Sequence, residues 1–223
     1  MLALLHTSPL HVPVFDALRD AHHPGLELRH SVIPDLLSRA RLEGPEAVAE
    51  DVTAALRQAA APGVQAVLCT CSTIGEVAER AAARVGVPVI RGDRPMAAAA
   101  VAAGPRIAVL ATVESTLPPT LALLDDEARR ADRPIRARAE LVPDAWTRFG
   151  AGDIEGCARL VAAAADSVRD ADVIVLAQAS MTSAANLTTT TVPILSSPRP
   201  GLAAGAAAVG RGSARAPVGY TGQ

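Results

Sequence analysis

The feature that most constrains this chain is an internal repeat of short apolar segments. Four segments of the first hundred residues match, in the same order, four segments that follow 105 to 109 residues later. The matching pairs are 2–7 with 107–112, 32–35 with 141–144, 65–73 with 172–180, and 87–90 with 192–195. A repeat at a nearly constant offset indicates two copies of one structural unit.

Each copy alternates short aliphatic runs with longer alanine-rich stretches, the pattern of βαβ units around a parallel sheet. Only 2% of the residues are aromatic, so small aliphatic side chains must fill the interior. We therefore predict an α/β fold of two similar doubly wound parallel-sheet halves, with the site in the cleft between them. The predicted strands are 2–5, 26–33, 66–70, 87–90, 107–111, 135–141, 173–177 and 192–195, and the predicted helices are 45–60, 74–85, 95–103, 114–131 and 154–168.

The predicted domain limits follow from the same repeat. Residues 1–95 together with 196–210 form the first half, and residues 96–195 form the second half. Residues 211–223, which are rich in Gly, Ser, Arg and Pro, are predicted to be a flexible tail.

Charge and composition exclude several classes of function. Lys plus Arg total 21 and Asp plus Glu total 23, so the chain lacks the basic excess of a nucleic-acid or anionic-membrane binder. The sequence has no signal-peptide pattern or membrane span, which favours a cytoplasmic protein with three reduced thiols. The spacing of cysteine and histidine predicts no metal site. The expected partner is a small molecule, and whether the chain forms a homo-oligomer is left open.

The polar residues that follow the predicted strands are the candidates for chemistry. Cys71 lies directly after a strand and before a helix, where free backbone N–H groups favour a thiolate and can hold a carboxylate. Cys69, inside the strand, and Cys157, on a helix, are interpreted as buried packing residues. His6 follows the first strand and is expected to titrate near neutral pH. The turn with Arg91, Asp93 and Arg94 is interpreted as a solvated charge run.

Three segments resemble the aspartate/glutamate/hydantoin racemase superfamily, which includes related arylmalonate decarboxylases and maleate isomerases. They are residues 66–73, 106–112 and 172–177, and the resemblance covers most of the first 200 residues. It implies cofactor-independent proton transfer at the carbon α to a carboxylate, by one cysteine from each half. Cys71 matches the first of these cysteines. We predict the substrate-binding residues from this resemblance and from their position after the strands. They are His6, Thr7, Ser72, Thr73, Thr112, Ser115, Thr116 and Ser180. For the hydroxyl residues at the second strand-to-helix turn, helix capping is an equal alternative.

The chain departs from the family pattern at one position. The repeat partner of Cys71 is Gln178, whose amide does not titrate but can donate hydrogen bonds to an enediolate oxygen. Three readings remain. In the first, the chain is a racemase or isomerase that needs no pyridoxal phosphate, and the second thiol is replaced by Ser180, His6 or Glu114. In the second, Cys71 acts alone in a decarboxylase of a malonate-type substrate. In the third, the chain binds a small molecule without catalysis.

Overall fold

The computed structural model describes residues 1–213, and the first four strands of this range form one parallel sheet. The strand order is β2-β1-β3-β4. The elements are β1 (Leu2–His6), α1 (His11–His22), β2 (Leu28–Val32), α2 (Pro34–Glu43), α3 (Ala49–Ala59), β3 (Ala66–Cys69), α4 (Gly75–Arg80) and β4 (Val89–Arg91). Short 3-10 turns at Pro45–Val48 and Ala82–Arg84 adjoin α3 and α4.

The following four strands form a second parallel sheet, in the order β6-β5-β7-β8. The elements are α5 (Arg94–Ala103), β5 (Arg106–Ala111), α6 (Leu117–Ala131), β6 (Arg136–Leu141), α7 (Ala145–Gly150), α8 (Ile154–Ser167), β7 (Val173–Leu176), β8 (Ile194–Ser196) and α9 (Pro198–Ser213). Further 3-10 segments lie at Glu114–Thr116 and Ala179–Asn186. Replacing each strand of the first sheet by its repeat partner gives the second sheet, which confirms the predicted α/β fold of two similar halves.

The central strands of both sheets are buried on both faces. Every residue of β1, β3 and β7 is buried, and in β5 only Arg106 is exposed. Helices on both sides of each sheet cover these strands, so their sequences are continuous aliphatic runs rather than alternating ones. The polar residues that follow the strands therefore emerge at one edge of each sheet.

The C-terminal helix closes the first sheet rather than the second. α9 packs against α1 and β3, and its Leu202 and Ala208 join the core that contains Leu2, Leu4 and Leu68. The helix includes residues 211–213 of the predicted tail, and residues 214–223 of that tail lie outside the described residues. No helix in residues 1–213 is long and apolar enough to cross a membrane.

The charged turn after β4 joins the two halves. Arg91 and Asp93 form an ion pair of 2.7 Å in which both side chains are 3% exposed, and Arg91 also donates to the carbonyl oxygen of Pro119 at the start of α6. Arg94 bridges Glu79 of α4 to acidic residues of α6. The interpretation of this turn as a solvated charge run is wrong, because its charges neutralise one another in the interface between the halves.

Candidate active site

A cavity that is partly open to solvent lies between the two halves, at the carboxyl edges of both sheets. Its lining combines small hydroxyl side chains, a cysteine, a histidine and an aromatic pair. The lining residues are Thr7, Ser8, His11, Leu37, Thr70, Cys71, Ser72, Thr73, Val113, Thr116, Trp146, Phe149, Gln178, Ala179 and Ser180. A ligand in this position would contact both repeat copies.

Cys71 lies in the cavity wall, in the loop from β3 to α4, and is 8% exposed. Burial, the largest effect, raises the pKa of its thiol above the ordinary value. The Thr7 hydroxyl and the backbone N–H groups of Ile74 and Thr73 oppose this effect, because they donate hydrogen bonds to the sulfur. The predicted backbone donors are therefore present, but the expected net lowering of the pKa is wrong, since desolvation outweighs them. Burial thus favours the thiol of Cys71 over the thiolate.

The two other cysteines occupy different environments. Cys69 is fully enclosed in β3, and burial raises the pKa of its thiol to about 12. Cys157 is 1% exposed in the core beneath α8. Neither lines the cavity.

The ends of three neighbouring strands are tied together by side-chain hydrogen bonds. His6 of β1 bonds Thr70 after β3 through Nδ1 at 2.8 Å, and His30 of β2 through Nε2 at 2.8 Å. Thr70 in turn donates to the carbonyl oxygen of Leu5. Burial and the nearby His30 and His11 lower the pKa of His6 to about 3, so the expectation that it titrates near neutral pH is wrong. His6 lies behind the cavity wall and holds the loops that carry Thr7 and Cys71 in place.

Gln178 occupies the position in the second half that corresponds to the position of Cys71 in the first half. Its Oε1 accepts three hydrogen bonds: from the Thr112 backbone N–H at 2.6 Å, from the Thr112 hydroxyl at 3.1 Å and from the Val113 N–H at 3.2 Å. These donors fix the orientation of the amide, because only its oxygen can accept them. Thr112 is the repeat partner of Thr7, so the Thr7–Cys71 and Thr112–Gln178 pairs are equivalent contacts in the two halves.

The hydroxyl residues after Cys71 join the halves across the cavity floor. Ser72 donates to the carbonyl oxygen of Ala177 at 2.8 Å, and the hydroxyls of Thr73 and Thr116 lie 3.5 Å apart. The single hydroxyl proton of Ser72 is thus engaged within the protein. Thr73 and Thr116 share one hydrogen bond between two hydroxyls, which leaves one proton of the pair for a ligand.

Most, but not all, of the site residues predicted from the sequence line the cavity. The cavity lining contains Cys71, Gln178, Thr7, Ser72, Thr73, Thr116 and Ser180. The lining does not contain His6, Thr112, Ser115 or Glu114. Thr112 contributes indirectly by holding Gln178, and Glu114 is exposed.

His11, on the first turn of α1, is the titratable residue of the cavity lining that the sequence did not indicate. Both of its ring nitrogens are buried without a hydrogen-bond partner, and burial lowers its pKa to about 4. A neutral imidazole has one donor and one acceptor, so leaving both unpaired is costly. No acidic or cysteine neighbour along the chain points to His11; its role is visible only when the fold places it beside the cavity.

An aromatic wall of the cavity is formed by Trp146 and Phe149 of α7 together with Leu37 of α2. The two rings stack at 5.4 Å, and the guanidinium of Arg41 lies 5.5 Å from the centre of the Trp146 ring. Trp146 is the chain's single tryptophan, and it lies three residues before one of only two phenylalanines. That spacing in a chain poor in aromatics is the sequence signal that could have indicated this wall.

Comparisons with known proteins give a consistent family and fold. The model of the Asp/Glu/hydantoin racemase family matches residues 12–208. Glutamate racemase from Bacillus anthracis has a TM-score of 0.74 at 14% identity, over 95% of this chain and 82% of that one. The Picrophilus torridus aspartate racemase gives 0.70 at 14% identity, over 95% and 94% of the two chains.

A sulfate-associated mutant of arylmalonate decarboxylase gives a TM-score of 0.65 at 19% identity, over 98% of this chain and 97% of that one. No curated protein matches the chain. At these identities the solved structures show a shared fold. Residues 1–213 contain no group of three or more His, Cys, Asp or Glu side chains arranged to hold a metal ion.

Proposed function

We propose that this chain, which belongs to the Asp/Glu/hydantoin racemase family, is a cofactor-independent racemase or isomerase acting at the carbon α to a carboxylate. Cys71 is the acid and base of this reaction. The observation that carries the proposal is the position of the Cys71 sulfur, which lies in the wall of the cavity between the halves and receives hydrogen bonds from Thr7, Thr73 and Ile74. These donors stabilise the thiolate that removing an α-proton requires.

The reaction proceeds through an enediolate. The Cys71 thiol first gives its proton to water. The resulting thiolate takes the α-proton, the electron pair of the C–H bond moves into the carboxylate, and return of a proton to carbon ends the cycle. Hydrogen-bond donors on the cavity wall stabilise the charge on the enediolate oxygens. Racemisation needs a second group on the opposite face. Of the three side chains considered for that role, Ser180 lines the cavity and His6 and Glu114 do not.

A one-thiol decarboxylase is the second candidate, favoured by the state of Cys71. Burial favours its protonated thiol, and Gln178, in the equivalent position, does not titrate. In a malonate-type substrate, loss of CO₂ leaves the electron pair of the broken C–C bond on the α-carbon. The Cys71 thiol then gives its proton to that carbon, and the thiolate regains a proton from water.

Deuterated water distinguishes these reactions from simple binding. Amino acids, hydantoins and substituted malonates are incubated with the protein, and label at the α-carbon is followed by NMR. A racemase or isomerase labels an acid that keeps its carboxylate, whereas a decarboxylase labels a product that has lost CO₂. Saturable binding of an acid that gives neither label nor CO₂ would contradict catalysis and identify a binding protein.

The location that we propose is the cytoplasm. All three cysteines, Cys69, Cys71 and Cys157, are free thiols, and the reaction requires Cys71 in its reduced form. A reducing compartment preserves that form.

A further inference from the structure

We infer that the cavity takes a small acid with one carboxylate and an apolar side chain, and that Gln178 excludes a second carboxylate. The inference rests on the proposed racemase or isomerase function and names its substrate class. A malonate-type substrate has two carboxylates, so the inference also argues against the decarboxylase alternative. It concerns binding and can be tested without turnover. Three features of the cavity support it independently.

The first feature is the occupied donor set of the second half. Two adjacent backbone N–H groups and a hydroxyl, from Thr112 and Val113, form a group of donors suited to a carboxylate oxygen. The Gln178 carboxamide oxygen accepts all three at 2.6 to 3.2 Å. This neutral side chain thus fills the position in which a second substrate carboxylate could be held.

The second feature is the absence of charge from the lining. The lining residues, all within the described part of the chain, include no arginine, aspartate or glutamate, and the chain has no lysine. A second carboxylate would lose its hydration without gaining a counter-charge, which is strongly unfavourable. One carboxylate can be held by neutral donors, as in an oxyanion hole.

The third feature is the aromatic wall of Leu37, Trp146 and Phe149. Its position across both halves gives an apolar side chain a surface on which to be buried. His11 supplies the complementary polar contact. Its ring nitrogens are buried without partners, so a ligand carboxylate that accepts its N–H would satisfy one of them.

Calorimetric titration with phenylacetate and succinate tests the inference. The first has one carboxylate and an aryl group, and the second has two carboxylates and no aryl group. We expect the wild-type protein to bind phenylacetate about tenfold or more tightly than succinate. Gln178→Ala frees the Thr112 and Val113 donors, so this variant should bind succinate more tightly. The ratio of phenylacetate affinity to succinate affinity should then fall about tenfold.

Gln178→Glu is the matched control. Its carboxylate keeps the three hydrogen bonds and adds repulsion, so the preference for phenylacetate should be retained or increased. Circular dichroism of each variant establishes that it is folded, and the wild-type ratio tests the inference even if Gln178→Ala does not fold.

Equal or tighter wild-type binding of succinate would overturn the inference. So would an unchanged preference in folded Gln178→Ala. Deuterium exchange combined with tighter succinate binding would contradict the substrate class alone. Preference for phenylacetate without exchange or CO₂ release from any acid would contradict the proposed reaction alone.

Discussion

The Ser72 hydroxyl donates a 2.8 Å hydrogen bond to the carbonyl oxygen of Ala177. Ser72 follows Cys71 in the first half, and Ala177 precedes Gln178 in the second, so this bond joins the two loops that carry the repeat-equivalent residues of the cavity. The Ala177 carbonyl lies in a fully buried residue. The separation of Cys71 from Gln178 therefore depends on a contact that neither half can form alone.

Replacing Ser72 by Ala should lower the free energy of unfolding by about 1 to 3 kcal/mol, because the buried carbonyl oxygen of Ala177 loses its partner. Urea unfolding followed by circular dichroism measures the change. Ser167→Ala is the matched control, since the Ser167 hydroxyl bonds a carbonyl oxygen at the exposed end of α8. Equal losses in the two variants would argue against a special role for the contact between the halves.

The buried Arg91–Asp93 pair should be far more sensitive to substitution than an exposed pair. Asp93→Ala leaves the Arg91 guanidinium buried without its carboxylate and should cost about 3 to 5 kcal/mol of stability. Glu50→Ala removes the partner of Arg84 on the surface, where water screens the pair, and should cost much less stability. Chemical denaturation of both variants measures the difference, and a small loss in Asp93→Ala would show that water reaches this interface.

Acid should destabilise the protein through His11, whose pKa burial lowers to about 4 from an ordinary value of 6.5. The unfolded chain takes up a proton at pH values where folded His11 remains neutral. The stabilising contribution is complete above pH 6.5 and is lost as the pH falls towards 4. The loss of stability amounts to about 2 to 3 kcal/mol near pH 4.5.

His11→Phe should remove that part of the acid dependence. It should also raise stability at neutral pH by about 1 kcal/mol, because two unsatisfied ring nitrogens disappear, while phenylacetate affinity falls. Thermal unfolding between pH 4 and pH 8 checks the first two effects, with His22→Gln at the exposed end of α1 as the control. An unchanged acid limb in His11→Phe would contradict this assignment.

The central strands were predictable because they are buried on both faces. Residues such as Leu2, Leu68 and Val175 must be aliphatic, so each central strand is a continuous apolar run, and the repeat relates the runs of the two sheets. Helices α1, α2, α7 and α9 were missed. α1 contains Pro13 and α2 is largely polar, so neither has a clear apolar period.

The candidate site was predictable only where residues directly follow strands. Cys71 and Gln178 could be placed in this way, because the carboxyl ends of parallel strands meet at one edge. Leu37 and His11 reach the cavity through packing between helices and between halves, which no local pattern encodes. The raised pKa of Cys71 was missed for the same reason, since the degree of burial depends on the second half.

Comparing three proteins tests most directly whether Cys71 is the acid and base of the reaction. α-Deuterium incorporation is measured for the wild-type protein, Cys71→Ala and Cys69→Ala, with the acid that the wild-type protein labels fastest. Cys69→Ala removes a buried thiol of β3, the strand that precedes Cys71. Cys69 lies outside the cavity lining, so this variant controls for lost packing. Cys71→Ala should lose about a thousandfold or more of the rate while remaining folded, and Cys69→Ala should retain most of its activity. Undiminished exchange in folded Cys71→Ala would contradict the assignment of Cys71 as the acid and base.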